Sequence, residues 1–308
     1  MSNVPYTKPA LSYDDQLQQL KSRGLIIEND AKAIHLLEVI SYYRLSGYWY
    51  PMLIDKQNHK FKTGSSFETA FNIYKFDREL RLLILRELEK IEVAVRSKMI
   101  YILSHSKGAF WYSDSANFTN LEKHVETSKK IKNELERSDE EFIQAFKSNY
   151  SDPLPPSWIM LEVVSFGILS SLYSNLLPGR DKRVIANYFG LNDKTLSSWL
   201  HSIAYLRNIC AHHSRLWNRE MRIRPVIPQS PHNPFLTQIN YKHPESGSTL
   251  PLNNKSYFML SMITYLMNTI NPKHKIKANF KVLLAKYPNI DVRAMGFPAN
   301  WESEKLWQ

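Results

Sequence analysis

The chain has 308 residues, 43% of them hydrophobic, and a formal charge of +11 from 40 Lys and Arg against 29 Asp and Glu. That length and composition argue against disorder and allow one large domain or two closely joined ones. The single cysteine, Cys210, excludes an internal disulfide framework and a cysteine-based zinc site, so a reducing cytoplasm is the expected compartment.

Charges at Lys8, Asp14, Asp15, Lys21 and Arg23 break the first 25 residues, so no signal-peptide core forms there. No later run approaches the ~20 apolar residues that span a bilayer. A soluble protein is expected, with polyanions as plausible partners of the basic surplus.

In chain order, residues 12–23 and 29–40 read as short amphipathic helices, separated by Gly24 and capped by Asn29 and Asp30. The aromatic segment Tyr42, Tyr43, Arg44, Tyr48 and Trp49 follows. It reads first as core packing with Arg44 in a buried or partly buried pair, and second as a platform for stacking RNA bases.

From about residue 67 to 103, Leu80, Ile84, Leu88, Ile91, Val95, Met99 and Ile102 recur every three or four positions, which predicts a long core helix. Glu89, Glu92 and Arg96 on it have intrahelical pairing distance. Further helices are predicted over 119–137, 139–148, 157–175 and 180–189, the third set off by Pro153-Leu154-Pro155-Pro156.

Asn192 or Asp193 then caps a helix carrying Leu196, Leu200, Ile203, Leu206 and Cys210 on one stripe. It runs into a segment with Arg207, Arg215, Arg219, Arg222 and Arg224 against Glu220 alone. Pro225, Pro228, Pro231, Pro234, Pro244 and Pro251 mark an extended loop. Helices resume over 255–270 and 273–286. The latter holds five lysines and no acid, a pattern equally that of a solvated face.

No βαβ alternation, Gly-rich phosphate loop, repeat or low-complexity tract is present. The fold class is therefore all-α, divided into an N-terminal helical portion (1–60), a helical core (61–228) and a Pro-rich loop with a C-terminal helical extension (229–308).

The chemistry concentrates in Arg207-Asn208-Ile209-Cys210-Ala211-His212. By composition, an Arg-x4-His match arises by chance about 0.5 times in such a chain, and with Asn directly after the Arg only ~0.03 times. Asn208 and His212 are one turn apart, so the amide is in reach of the imidazole. Arg207 and His212 are separated by about 140° around a regular helix. Either the helix ends near Ala211, or the two side chains converge when two copies meet across a two-fold axis.

Imidazole can move a proton at the ribose 2′-OH or the leaving 5′ oxygen at neutral pH, and guanidinium can hold the scissile phosphate. Such chemistry needs no metal or cofactor and leaves DNA uncut. The bland alternative is a surface histidine at a helix end, with Arg207 paired to Glu162 or another acid. His213 and His201 carry the bland reading too. An Mg²⁺-dependent DNA nuclease would need an acidic cluster that the sequence lacks.

The stretch from Arg207 to Asn218 resembles the signature of the Abi (abortive infection) family, AbiD/AbiF-like group. Tyr43-Arg44-Leu45-Ser46-Gly47-Tyr48-Trp49, Phe76-Asp77-Arg78-Glu79-Leu80-Arg81, Pro156-Ser157-Trp158 and Met295-Gly296-Phe297-Pro298 with Trp301 and Trp307 are similar to other family features.

The resemblance implies a HEPN-type helical bundle and a HEPN ribonuclease in phage defence, with Arg207, Asn208 and His212 matching the motif. It also implies a cognate small non-coding RNA as partner, in the manner of a toxin and its antitoxin. With one motif per chain, a composite centre calls for a homodimer. Arg215, Arg219, Arg222, Arg224 and Arg44 are the expected RNA-phosphate contacts. The rival expectations are a non-catalytic module holding that RNA and a purely protein-binding component.

Overall fold

The computed structural model describes residues 5–242 and 247–308; Pro244 of the proline-rich loop falls outside them. Among the described residues the fold is all-α, with twelve α-helices and two small antiparallel hairpins. It divides into two compact units: one runs to Glu79 and takes in Leu283–Ile290, the other comprises Leu80–Val282 and Asp291–Gln308.

The first unit opens with α1 (Tyr13–Ser22) and α2 (Asp30–Ile40), whose N-caps Ser12 and Asn29 accept from Asp15 N and Lys32 N. Gly24 leaves α1 at φ +90°, a conformation that costs glycine nothing. Ser41, at φ +85°, redirects the chain from α2 into α3 (Tyr42–Trp49).

The hairpin β1 (Leu53–Asp55) and β2 (Lys60–Phe61) follows, with Leu53 opposite Phe61. Residues between α1 and α2 lie alongside its outgoing arm: Phe61 N donates to Arg23 O, Ile26 N to Ser65 O and Phe67 N to Ile26 O, each at 2.9 Å.

The aromatic segment divides as the residues of one short helix must. Tyr48 and Trp49 are buried, and Tyr42 packs edge-on against Trp49, as core packing requires. Tyr43 is 90% exposed. Arg44 is exposed as well, which corrects the buried or partly buried position expected for it. The Tyr48 hydroxyl donates to the fully buried Asp77 carboxylate at 2.7 Å.

Helix α4 (Phe67–Lys107) is the predicted long helix, 41 residues in length. Leu80, Ile84, Leu88, Ile91, Val95 and Met99 are all at most 2% exposed, and Leu103 rather than Ile102 closes the stripe. Each such aliphatic chain contributes about 1.5–3 kcal/mol of burial. Arg96 pairs with Glu92 one turn back at 2.9 Å, the intrahelical contact its spacing predicts.

In the second unit α5 (Leu121–Arg137) and α6 (Glu141–Asn149) match their expected spans. The helix predicted over 157–175 is two, α7 (Ser157–Val163) and α8 (Phe166–Asn175). Val164 turns extended and Ser165 caps α8, its side chain accepting from Ile168 N. A serine that can bond the backbone locally offers the chain this alternative to a continuing helix.

Helix α9 (Arg180–Tyr188) leads to α10 (Asp193–Ala211), which packs on α8. Leu196, Trp199, Leu200, Ile203 and Leu206 are each fully buried. The proline-rich segment is bonded to α10 at Val226, and its described residues include the antiparallel strands β3 (Asn240–Lys242) and β4 (Thr249–Pro251).

The almost wholly buried α11 (Ser256–Ile270) precedes α12 (Ile276–Lys286). Phe280, Phe297, Trp301 and Trp307 gather around Tyr257 of α11. Gly296 at φ +90° sits where a Cβ would come within 2.6 Å of the Lys255 Cβ, so that close approach requires glycine. No helix among the described residues is long and apolar enough to cross a membrane.

Replacing Tyr48 with Phe removes a donor from a carboxylate that has no access to water. We expect a loss of about 1–3 kcal/mol, read as a lowered urea midpoint with an unchanged slope.

Candidate functional site

Helix α10 ends at Ala211, and the manner of its ending sets the site. His212 is the C-cap, and its N–H donates to Asn208 O at 2.9 Å. His213 N donates to Cys210 O (3.1 Å) and Ser214 N to Ile209 O (2.9 Å), the paired bonds of a Schellman turn. That motif needs a left-handed residue, usually glycine. Here it is His213 at φ +57°, which costs on the order of 1 kcal/mol.

The turn is gripped from outside. Arg81 of α4, itself only 4% exposed, directs Nη1 at Ser214 O (3.4 Å). Ser256 Oγ donates to Leu216 O at 2.9 Å, and Leu216 and Trp217 are buried. Further on, Met221 N donates to Asn254 O at 2.7 Å, and Lys255 pairs with Glu220 at 2.8 Å. The chain leaving α10 is thus held by α4 and by the approach to α11.

Against that frame the motif side chains face solvent. Arg207, Asn208 and His212 are exposed, while Ile209 and Cys210 between them are buried. His201, Tyr205, Asn208 and His212 follow the 3.6-residue repeat along one side of α10. Arg207 lies off that stripe, with Nη1 at 3.5 Å from Asn208 Oδ1. Among the described residues no hydrogen bond or ion pair joins Arg207 or the Asn208 amide to the His212 ring.

The acid considered for Arg207 is engaged elsewhere: Glu162 is 3.4 Å from Arg96. The carboxylate that Arg207 influences is Glu92 of α4. Burial pushes the Glu92 carboxyl above its usual range, against the pull of Arg96 and Arg207. Arg207 is therefore exposed to water within electrostatic reach of a carboxylate of α4. Glu92 and Arg81 are the neighbours sequence reasoning missed, because helix periodicity ranks residues by burial and does not say which distant loop a buried cation serves.

The other predicted contacts spread out from the turn. Arg219 Nε donates back to Arg215 O at 2.7 Å, which spends one of its donors on shaping the chain. Arg222 and Arg224 are exposed on a strap docked along α10, where Trp199 Nε1 donates to Val226 O and Val226 N to Ser198 Oγ, both at 2.9 Å. Arg44 belongs to the other unit.

In the lysine-rich stretch, Lys281 pairs with Glu302 at 2.8 Å and Lys286 with Glu79 at 2.7 Å, while Lys273 and Lys275 are exposed. No group of three His, Cys, Asp or Glu among the described residues is placed to hold a metal ion.

An exposed Arg-Asn-x3-His element at a tightly held helix end, backed by an acid-bearing long helix, defines a helical protein with a solvent-facing cationic and imidazole site. The family model described as "Abi-like protein" matches residues 35–218, more than half of the chain, so the chain belongs to the Abi-like protein family. Membership supports a role in abortive infection. No curated protein and no solved structure matches the chain.

Arg81 is expected to act as a positioning residue. Substituting Met should cost about 1–3 kcal/mol, because a charge-assisted bond to a half-buried carbonyl is lost. Amide hydrogen exchange at Ser214 to Trp217 should speed up by more than at α8, and equal acceleration at both places would count against a local role.

Proposed function

We propose that the chain is a metal-independent endoribonuclease of HEPN type, an AbiD/AbiF-like member of its family, acting in anti-phage defence. One observation carries the reading: an imidazole and a guanidinium, five residues apart, stand exposed near a helix end whose outgoing chain is held by Arg81 and Ser256. In a folded protein a site with freedom to meet a substrate and no freedom to wander is what general acid–base chemistry requires.

His212 would take the proton from the 2′-OH or return one to the leaving 5′ oxygen. Arg207 would hold the non-bridging oxygens as charge builds at phosphorus. Asn208 would position whichever of these the substrate brings near it.

Within one chain Arg207 and His212 point to different sides. A two-fold homodimer would bring the second His212 to the first Arg207 and divide the acid and base roles between copies. Arg215, Arg219, Arg222 and Arg224 would track the phosphates leading from the centre. The products would carry a 2′,3′-cyclic phosphate and a 5′-OH. A cognate small non-coding RNA would compete for the same basic strap.

His212→Ala and Arg207→Ala are each expected to lower single-turnover RNA cleavage by at least about a hundredfold, with RNA affinity changed less than fivefold for His212→Ala. Mixing the two inactive variants should restore a fraction of the activity if the centre is composite. Cleavage by His212→Ala at the parental rate would refute the assignment.

A further inference from the structure

Apart from the ribonuclease reading, which it does not need, the first unit holds a cavity of about 260 Å³ between the start of α4 and the chain that leaves α12. That chain turns sharply: Ile290 N donates to Tyr287 O at 3.1 Å, with Pro288 and Asn289 at the corner. Proline presets the backbone at the second position of such a turn, and asparagine tolerates the third. The turn lines the cavity on one side, and Asn72, the buried Ile73 and Lys75 of α4 line it on the other.

The charge of the lining is one-sided. Lys75 and Lys286 both contribute to it, and among the described residues no carboxylate does. Glu79 stands behind Lys286 and Tyr287, its carboxylate accepting from Lys286 Nζ and from the Tyr287 hydroxyl, each at 2.7 Å. Both side chains are thus placed before any ligand arrives, which lowers the cost of binding one. The acid offsets a single ammonium, and the exposed Arg78, within electrostatic reach of it, restores the surplus. Lys75 Nζ lies 4.9 Å from the centre of the Phe71 ring, and no carboxylate pairs with it among the described residues.

The rest of the lining is neutral and of two kinds. The Asn72 and Asn289 carboxamides can each donate and accept. The Tyr287 ring, Pro288 and Ile290 offer apolar surface.

We infer that this cavity binds a nucleoside monophosphate, its phosphate held by Lys75 and Lys286 and its base against the Tyr287 ring. A phosphomonoester carries about −1.5 to −2 charges at pH 7, which matches two ammonium groups. The carboxamides suit the edge of a base or the hydroxyls of a ribose, and a bare anion would leave them and the apolar surface in water. Size sets the upper limit: drug-sized ligands fill clefts of roughly 300–1,000 Å³. A cavity just under that range takes a single nucleotide and does not enclose an oligonucleotide.

The test uses the full chain and isothermal titration calorimetry with AMP, GMP, CMP and UMP, with the four nucleosides and inorganic phosphate alongside. At least one nucleotide should bind with a Kd of about 1 mM or tighter. Its own nucleoside and inorganic phosphate should each bind at least about tenfold more weakly. Lys75→Gln removes a cation and Asn289→Asp places an acid in the turn; each should weaken that nucleotide by about tenfold or more, with folding verified by circular dichroism. Arg207→Ala should bind it as the parent does, which separates the cavity from the proposed catalytic centre. Bound nucleotide should slow amide exchange over residues 69–75 and 286–290 and leave α10 as it is. No binding of any of the four up to about 10 mM, equal affinity for nucleotide and nucleoside, inorganic phosphate bound as tightly as nucleotide, unchanged affinity in both cavity variants, or protection at α10 in place of 286–290 would each overturn the inference and leave the ribonuclease reading where it stands.

Discussion

The end of α10 is held most directly by a half-buried contact, the Arg81 guanidinium directed at the carbonyl of Ser214. A cation that is 4% exposed has left water behind, and a carbonyl oxygen is among the few groups that can repay it. Because the acceptor is main chain, the contact constrains the path of the backbone and is indifferent to the side chain at 214. The left-handed turn at His213 is held in the same grip, since backbone strain of about 1 kcal/mol persists only where surrounding contacts over-determine the conformation. Rigid backbone and exposed side chains at adjacent positions follow from that single arrangement.

The same logic explains the arginine strap. Its main chain is bonded to Ser198, Trp199, Asn253, Asn254 and Ser256, so its direction is set by α10 and α11. Backbone bonding on one side leaves the Arg222 and Arg224 side chains in solvent on the other. A loop made of prolines donates few hydrogen bonds of its own, and the ones it does make are therefore distributed at fixed points.

The first unit is built on different terms. Its extended segment after α1 is bonded through the main chain to the outgoing arm of the hairpin, and α3 is anchored by two buried aromatics, Tyr48 and Trp49.

Periodicity in the sequence determined the helices, because burying an apolar stripe is a local demand repeated every three or four residues; α4 and α10 follow from it almost to the residue. It also singled out Arg207, Asn208 and His212, whose clustering is improbable by chance. The break between α7 and α8 was not legible, since Val164 and Ser165 are compatible with either outcome and packing decides. Nor was the pairing of Tyr43 outside with Tyr48 inside, which depends on where α3 lies against Asp77. The partnership of Arg81 with Ser214, 133 residues away, and the influence of Arg207 on Glu92 rather than Glu162, belong to tertiary structure alone. Contacts between residues distant in the chain are set by how the helices stack, and no local pattern encodes which carbonyl a buried cation will meet.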